Sequence, residues 1–162
     1  MLITGTASVG FVQAVCFSAW MSSIAFTQTN SVPTHAKGTF DVKVTPMASD
    51  DAAATAISRL SLDKQYHGDL DATGRGQMLG AMSPVEGSGG YVAIELVSGT
   101  LNGRKGTFLL QHIGSMRKNE YRITVTVVPD SGTGELAGLS GTMVIIIEGT
   151  KHSYDFAYAL GS

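Results

Sequence analysis

A single cysteine, Cys16, in a chain of 162 residues excludes an internal disulfide framework and any zinc or iron–sulfur centre built from several thiolates of one chain. Charge is also sparse: Lys, Arg, Asp and Glu make up 15% of the residues and the formal net charge is −2. No basic stripe stands out, which argues against a nucleic-acid surface. Proline is rare, with four residues, whereas glycine is abundant, with 20. Glycine ordinarily supplies about 7% of a chain, and an excess of it beside scarce proline suits many short strands with tight turns. The length corresponds to one domain, large enough to hide roughly 70% of the surface its unfolded chain exposes.

Charge is missing altogether from residues 1–34, so every Lys, Arg, Asp and Glu falls between Lys37 and Asp155. Within this stretch, residues 9–21 are apolar but interrupted by Gln13 and Ser18, short of the about 20 predominantly apolar residues a membrane helix needs. Ser23-Ile24-Ala25 resembles a small-residue cleavage site, yet the positive n-region of an export signal is lacking. Residues 1–34 therefore read as an uncharged N-terminal extension and residues 35–162 as a single folded domain. A cytoplasmic protein is expected, exported only if residues 1–25 act as a signal peptide. Cys16 lies in the extension, so the domain itself has no thiol.

From His35 onward the chain alternates. Phe40, Val42 and Val44 oppose Thr39, Asp41 and Lys43; Leu60, Leu62 and Tyr66 share one parity; Val92, Ile94 and Leu96 oppose Tyr91, Ala93, Glu95 and Val97. Phe108, Leu110, His112 and Met116 share a face, as do Tyr121, Ile123, Val125 and Val127, and later Tyr154, Phe156, Tyr158 and Leu160. Period-two patterning of this kind marks strands. Asn102-Gly103 and Lys118-Asn119 read as hairpin turns, the first being the strongest hairpin signal in the chain. Gly74 and Gly76 suggest a bulge or bend inside a strand, and residues 47–56 suggest one short helix capped by Ser49 or Asp50. Eight antiparallel strands result. They close into a barrel or stack as a two-sheet sandwich, and the mid-strand glycines favour the all-β barrel.

Familiar catalytic signatures are absent: no phosphate-binding Walker loop, no Gly-x-Ser-x-Gly elbow and no His-Glu-x-x-His. The glycine-rich 132–138 segment precedes a strand rather than a helix and reads as a turn. None of the histidines at 35, 67, 112 and 152 lies two or four residues from another, so no local metal pair is expected. His112, on an apolar face, is either a hydrogen-bonded core residue or a group suited to proton transfer near neutral pH. Glu95 is the second candidate. If its face points inward it is a buried carboxylate, but the neighbouring Val92, Ile94 and Leu96 face is wholly apolar and competes for the interior.

Several segments resemble a bacterial domain-of-unknown-function family, DUF3224: residues 35–40, Lys64-Gln65-Tyr66-His67-Gly68-Asp69-Leu70, Gly90-Tyr91-Val92-Ala93-Ile94-Glu95, residues 103–108 and Gln111-His112. The most specific match is residues 128–142, whose Gly-Thr-Gly…Gly…Gly turn is similar to that of allene oxide cyclases and dirigent proteins. The resemblance covers about residues 35–160 and implies an eight-stranded barrel of the allene-oxide-cyclase-like type. It implies no activity.

Three functions compete. The barrel binds a small apolar molecule, with Tyr91, Phe108, Tyr154, Phe156 and Tyr158 as pocket candidates. Alternatively it is a cofactor-independent isomerase or cyclase using the same cavity, with Glu95 and His112 as catalytic candidates. As a third reading, it holds no ligand and acts through self-association, for which the two-sided apolar run Val144-Ile145-Ile146-Ile147 is suited. No metal, nucleotide or other cofactor, no nucleic acid and no firm membrane association are implied, and a homo-oligomer is compatible with the pattern.

Overall fold

The computed structural model describes residues 33–48 and 56–161. They form eight strands: β1 (Thr34–Pro46), β2 (Ser58–Gly68), β3 (Leu70–Met82), β4 (Gly89–Leu101), β5 (Arg104–Arg117), β6 (Glu120–Val127), β7 (Leu139–Glu148) and β8 (Lys151–Leu160). Each pairs antiparallel with its neighbours in chain order, and β8 returns to β1, closing the barrel. The sandwich alternative therefore falls. The short helix expected at 47–56 lies mainly on residues 49–55, outside the described residues. The helical piece among the described residues is a single 3-10 turn, Gly134–Leu136, inside the glycine-rich segment.

Local chemistry accounts for the hairpins. Asn102 and Gly103 both have positive φ, at 49° and 80°, as the two-residue turn between β4 and β5 requires. Lys118 and Asn119 repeat the device between β5 and β6, at 49° and 69°. Alternation then sends one parity of each strand inward. Phe40, Tyr66, Val97, Phe108, Leu110, Val125, Met143, Tyr154, Phe156 and Tyr158 are buried, each contributing about 1.5–3 kcal/mol for a large apolar side chain. Phe108 stacks on Phe156 at 5.9 Å between ring centroids, and Tyr66 meets Tyr154 edge-on at 5.7 Å.

The two ends of the barrel differ. At one end β6 pairs with β5 only as far back as Leu110, leaving residues 104–109 with a free edge. The glycine-rich segment satisfies that edge with side chains: Glu135 Oε2, Thr133 Oγ1 and Ser131 Oγ accept the backbone N–H groups of Lys105, Thr107 and Leu109 at 2.8, 3.0 and 3.0 Å. Leu136, 1% exposed, plugs this end. At the other end the wall splays. β6 and β7 share only two paired positions, Val125↔Met143 and Thr126↔Thr142, and the β1–β8 ladder stops at Thr39↔Ser153. Beyond these pairs the β7–β8 hairpin forms no ladder with either neighbour and borders clefts of about 830 Å³ and 380 Å³, although the His152 ring still lies 5.2 Å from the Phe40 ring of β1.

Candidate functional site: a buried ionic cluster below an apolar mouth

β4 carries its polarity in reverse. Its single charged residue, Glu95, points inward and is fully buried, while Val92, Ile94 and Leu96 face out and are about half exposed. Three neighbours receive the carboxylate. Lys64 Nζ donates to Glu95 Oε2 at 2.8 Å, Tyr66 Oη donates to Oε1 at 2.9 Å, and His112 Nε2 lies 2.9 Å from Oε2. Lys64 also donates to Tyr66 Oη at 3.1 Å, and its ammonium sits 4.9 Å and 5.3 Å from the centroids of the Phe40 and Tyr66 rings, an added cation–π stabilisation. The His112 ring approaches the carboxylate in distance but not in line, so its Nε2 completes no hydrogen bond.

Register explains how these groups meet. Lys64 and Tyr66 follow Leu62 on the inward parity of β2; Ala93 of β4 pairs with His112 of β5, one inward step from Glu95. Space for the carboxylate comes from β3, where a Cβ at Gly74 would fall on Glu95 Oε1. Gly74 is therefore required by close approach, where the sequence suggested only a bend.

The electrostatics follow from burial and pairing. Burial pushes the Glu95 carboxyl up, but His112 and Lys64 together outweigh it and hold the group below the usual carboxylate range. The Tyr66 phenol is raised well above its ordinary value by burial and by the adjacent Glu95 charge, so it remains a donor. A fully buried carboxylate is tolerable only with such partners, since an unpaired one carries a large desolvation cost.

A cavity of about 270 Å³ lies at the splayed end, lined by Leu60, Met78, Tyr91, Met116 and Ile123 among others and by none of Lys64, Tyr66, Glu95 and His112. A separate cleft of about 350 Å³ over β1, β2 and β3 is lined by Lys64 and Gly74. The Tyr91 ring lies across Gly114, where any Cβ would collide with it. Since Gly114 is the next inward-facing residue after His112 on β5, the aromatic ring separates the cavity from the ionic cluster. Burial alone raises the Tyr91 phenol. Among the described residues no group of three or more His, Cys, Asp or Glu side chains converges in a way that would hold a metal.

The sequence candidates thus separate into three places. Glu95 and His112 meet in the interior. Tyr91 lines the mouth. Phe108, Tyr154, Phe156 and Tyr158 fill the core toward the plugged end, where Tyr154 Oη accepts the Leu70 N–H at 2.9 Å and Tyr158 Oη accepts from Asn102 Nδ2 at 2.9 Å. Sequence reasoning missed Lys64, although its parity with Leu62 and Tyr66 was a usable signal.

Comparison with known proteins agrees with this architecture. Residues 36–158 match the model of the family described as protein of unknown function DUF3224. A crystal structure of a DUF3224-family protein of unknown function from Shewanella oneidensis MR-1 is 46% identical, with a TM-score of 0.75 over 80% of this chain and 98% of that one. No curated protein matches. With a family match spanning all eight strands and a solved relative at this identity, the chain belongs to the DUF3224 family.

Proposed function

We propose that this protein binds a small, largely apolar molecule in the mouth of the barrel. The observation that carries the reading is the cavity of about 270 Å³ between Leu60, Met78, Tyr91, Met116 and Ile123, near the lower end of the size range of small-molecule sites. Its polar side-chain groups are few: the Tyr91 and Tyr121 phenols and the Ser58 and Ser115 hydroxyls. Met78, Met82 and Met116 give it an adaptable wall. A ligand of about a dozen heavy atoms, at about 0.3–0.6 kcal/mol each, would bind with a Kd of roughly 5 µM to 2 mM. Holding is favoured over conversion because the cavity does not reach Glu95 or His112.

Gly80 provides the test. It lines the cavity, and a Cβ added there would meet its nearest neighbours at 3.5 Å and 3.6 Å, ordinary contact distances. Gly80→Leu should fill the mouth without disturbing the backbone. The fluorescence gain of N-phenyl-1-naphthylamine on titration with the wild type should be lost in Gly80→Leu, while the melting temperature is kept or raised. Equal binding by the two proteins, or none by the wild type, would refute the reading.

A further inference from the structure

The wall between β6 and β7 stops where its residues would let it continue. Hairpin geometry fixes which main-chain groups face the gap. The two-residue turns Lys118-Asn119 and Gly149-Thr150 close on the pairs Arg117↔Glu120 and Glu148↔Lys151, and the closing pair of such a hairpin exchanges both of its hydrogen bonds. Glu120 therefore turns its N–H and C=O toward β5, and Glu148 turns its own toward β8. Alternation sends the main-chain groups of Tyr121 and Ile123 toward β7 and those of Ile145 and Ile147 toward β6. The pair Val125↔Met143 obeys the same parity. Beyond it these four residues border the cleft of about 830 Å³ with no ladder between them.

Continuing the observed register would set Ile123 opposite Ile145 and Tyr121 opposite Ile147, two hydrogen-bonded pairs of inward apolar side chains. Outward, Thr124 would meet Val144 and Arg122 would meet Ile146, so no like charges oppose one another. The following pair, Glu120 opposite Glu148, would oppose like charges and so ends the zipper at Tyr121. Apart from Arg122 these positions hold β-branched or aromatic residues, the types that strands favour, yet Tyr121 is 66% and Ile147 51% exposed. Tyr121 and Ile123 also line the mouth, whereas Ile145 and Ile147 line only the cleft. Zipping the seam would carry Ile145 and Ile147 onto a molecule held against Tyr121 and Ile123. A ligand shifts an equilibrium by its differential affinity for the two states, and these two side chains supply the difference. The counterweight is on the other flank of the hairpin, where the His152 ring rests 5.2 Å from that of Phe40 on β1.

We infer, resting on the mouth as a ligand site, that the β6–β7 seam is its entrance, open in this conformation and zipped through Ile123↔Ile145 and Tyr121↔Ile147 once the mouth is filled. Arg122→Cys/Ile146→Cys in a Cys16→Ser background puts thiols at the outward, non-hydrogen-bonded pair, where a formed ladder holds Cα atoms about 4.5 Å apart, within disulfide range. Under mild oxidant this pair should link about tenfold faster with saturating N-phenyl-1-naphthylamine than without it, and Arg122→Cys/Val144→Cys, two residues out of register, should not link. If the double variant misfolds, amide exchange of the wild type gives the second readout. The N–H groups of Ile145 and Ile147, residues that do not line the mouth, should gain about tenfold protection on dye binding, a gain lost in Gly80→Leu. A wild type that binds no dye would remove the mouth reading and its entrance together. Dye binding with no in-register link, with linkage as fast in the absence of dye, with equal linkage in the shifted pair, or without protection at Ile145 and Ile147 would overturn the seam alone.

Discussion

Replacing Lys64 by methionine should cost about 3–5 kcal/mol at neutral pH, because it leaves the Glu95 carboxylate buried without its cation. Glu95 is fully buried, and the Lys64 ammonium at 2.8 Å is the full positive charge held directly against it by a hydrogen bond. Methionine retains the length and apolar stem that pack over Phe40 and Tyr66, so little of the loss is cavity formation. In the wild type the folded Glu95 lies below its unfolded value of about 4.3; its contribution is fully present above that value and is lost as pH falls through the folded one. In Lys64→Met, burial is opposed only by His112 and the Tyr66 hydrogen bond, without the lysine's charge, and the folded carboxyl rises above the unfolded value. The sign then reverses: destabilisation is complete above the raised folded value and is relieved as pH falls through it. The deficit between variant and wild type should therefore narrow between pH 8 and pH 5. Urea unfolding followed by far-UV circular dichroism reads this directly, since the chain's one tryptophan, Trp20, lies outside the described barrel. At neutral pH the melting temperature should drop by about 10–20 °C. A deficit below 1 kcal/mol, or one that stays constant or widens on acidification, would refute the electrostatic account of the cluster.

Two further substitutions probe other parts of the structure. Gly74→Ala places a methyl on Glu95 Oε1 and should destabilise by about 1–3 kcal/mol through overpacking; in a Glu95→Ala background the same change should cost much less, and a double-mutant cycle without coupling would contradict the contact. Thr133→Val removes the side-chain acceptor of the Thr107 N–H at 3.0 Å, for a loss of about 1–2 kcal/mol. Amide hydrogen exchange at Thr107 should accelerate with it while that of Val97 is unchanged, and parallel acceleration at both amides would assign the effect to global instability.

Alternation made the eight strands legible because each wall residue faces either core or solvent, and the asparagine-glycine turn placed the β4–β5 hairpin to within a residue. Glu95 was harder. A period-two pattern identifies two faces but selects the inner one only by assuming that it is the more apolar, and β4 breaks that assumption with Val92, Ile94 and Leu96 outside. The compensating signal lies on the adjacent strand, where Gly74 vacates the volume the carboxylate occupies. Lys64 escaped notice because a lysine is solvated by default, and only the encounter of β2 with β4 over Gly74 of the intervening β3 gives it a partner. The aromatic candidates have the inward parity expected, but whether an inward ring lines a cavity or fills the core depends on how layers from opposite walls interlock. Phe108 against Phe156 fills it; Tyr91 over Gly114 leaves space above. The flare at one end was likewise invisible, since nothing in β6 or β7 alone marks where their pairing stops.

The mouth as a ligand site is tested most directly by methionine-methyl NMR. The wild type carries seven methionines, of which Met78, Met82 and Met116 line the cavity while Met47 does not. Titration with N-phenyl-1-naphthylamine should shift the methyl resonances of Met78, Met82 and Met116 in a saturable manner and leave Met47 in place, with all movements abolished in Gly80→Leu. Shifts spread over every methionine, or none at the three mouth residues, would contradict a binding site there.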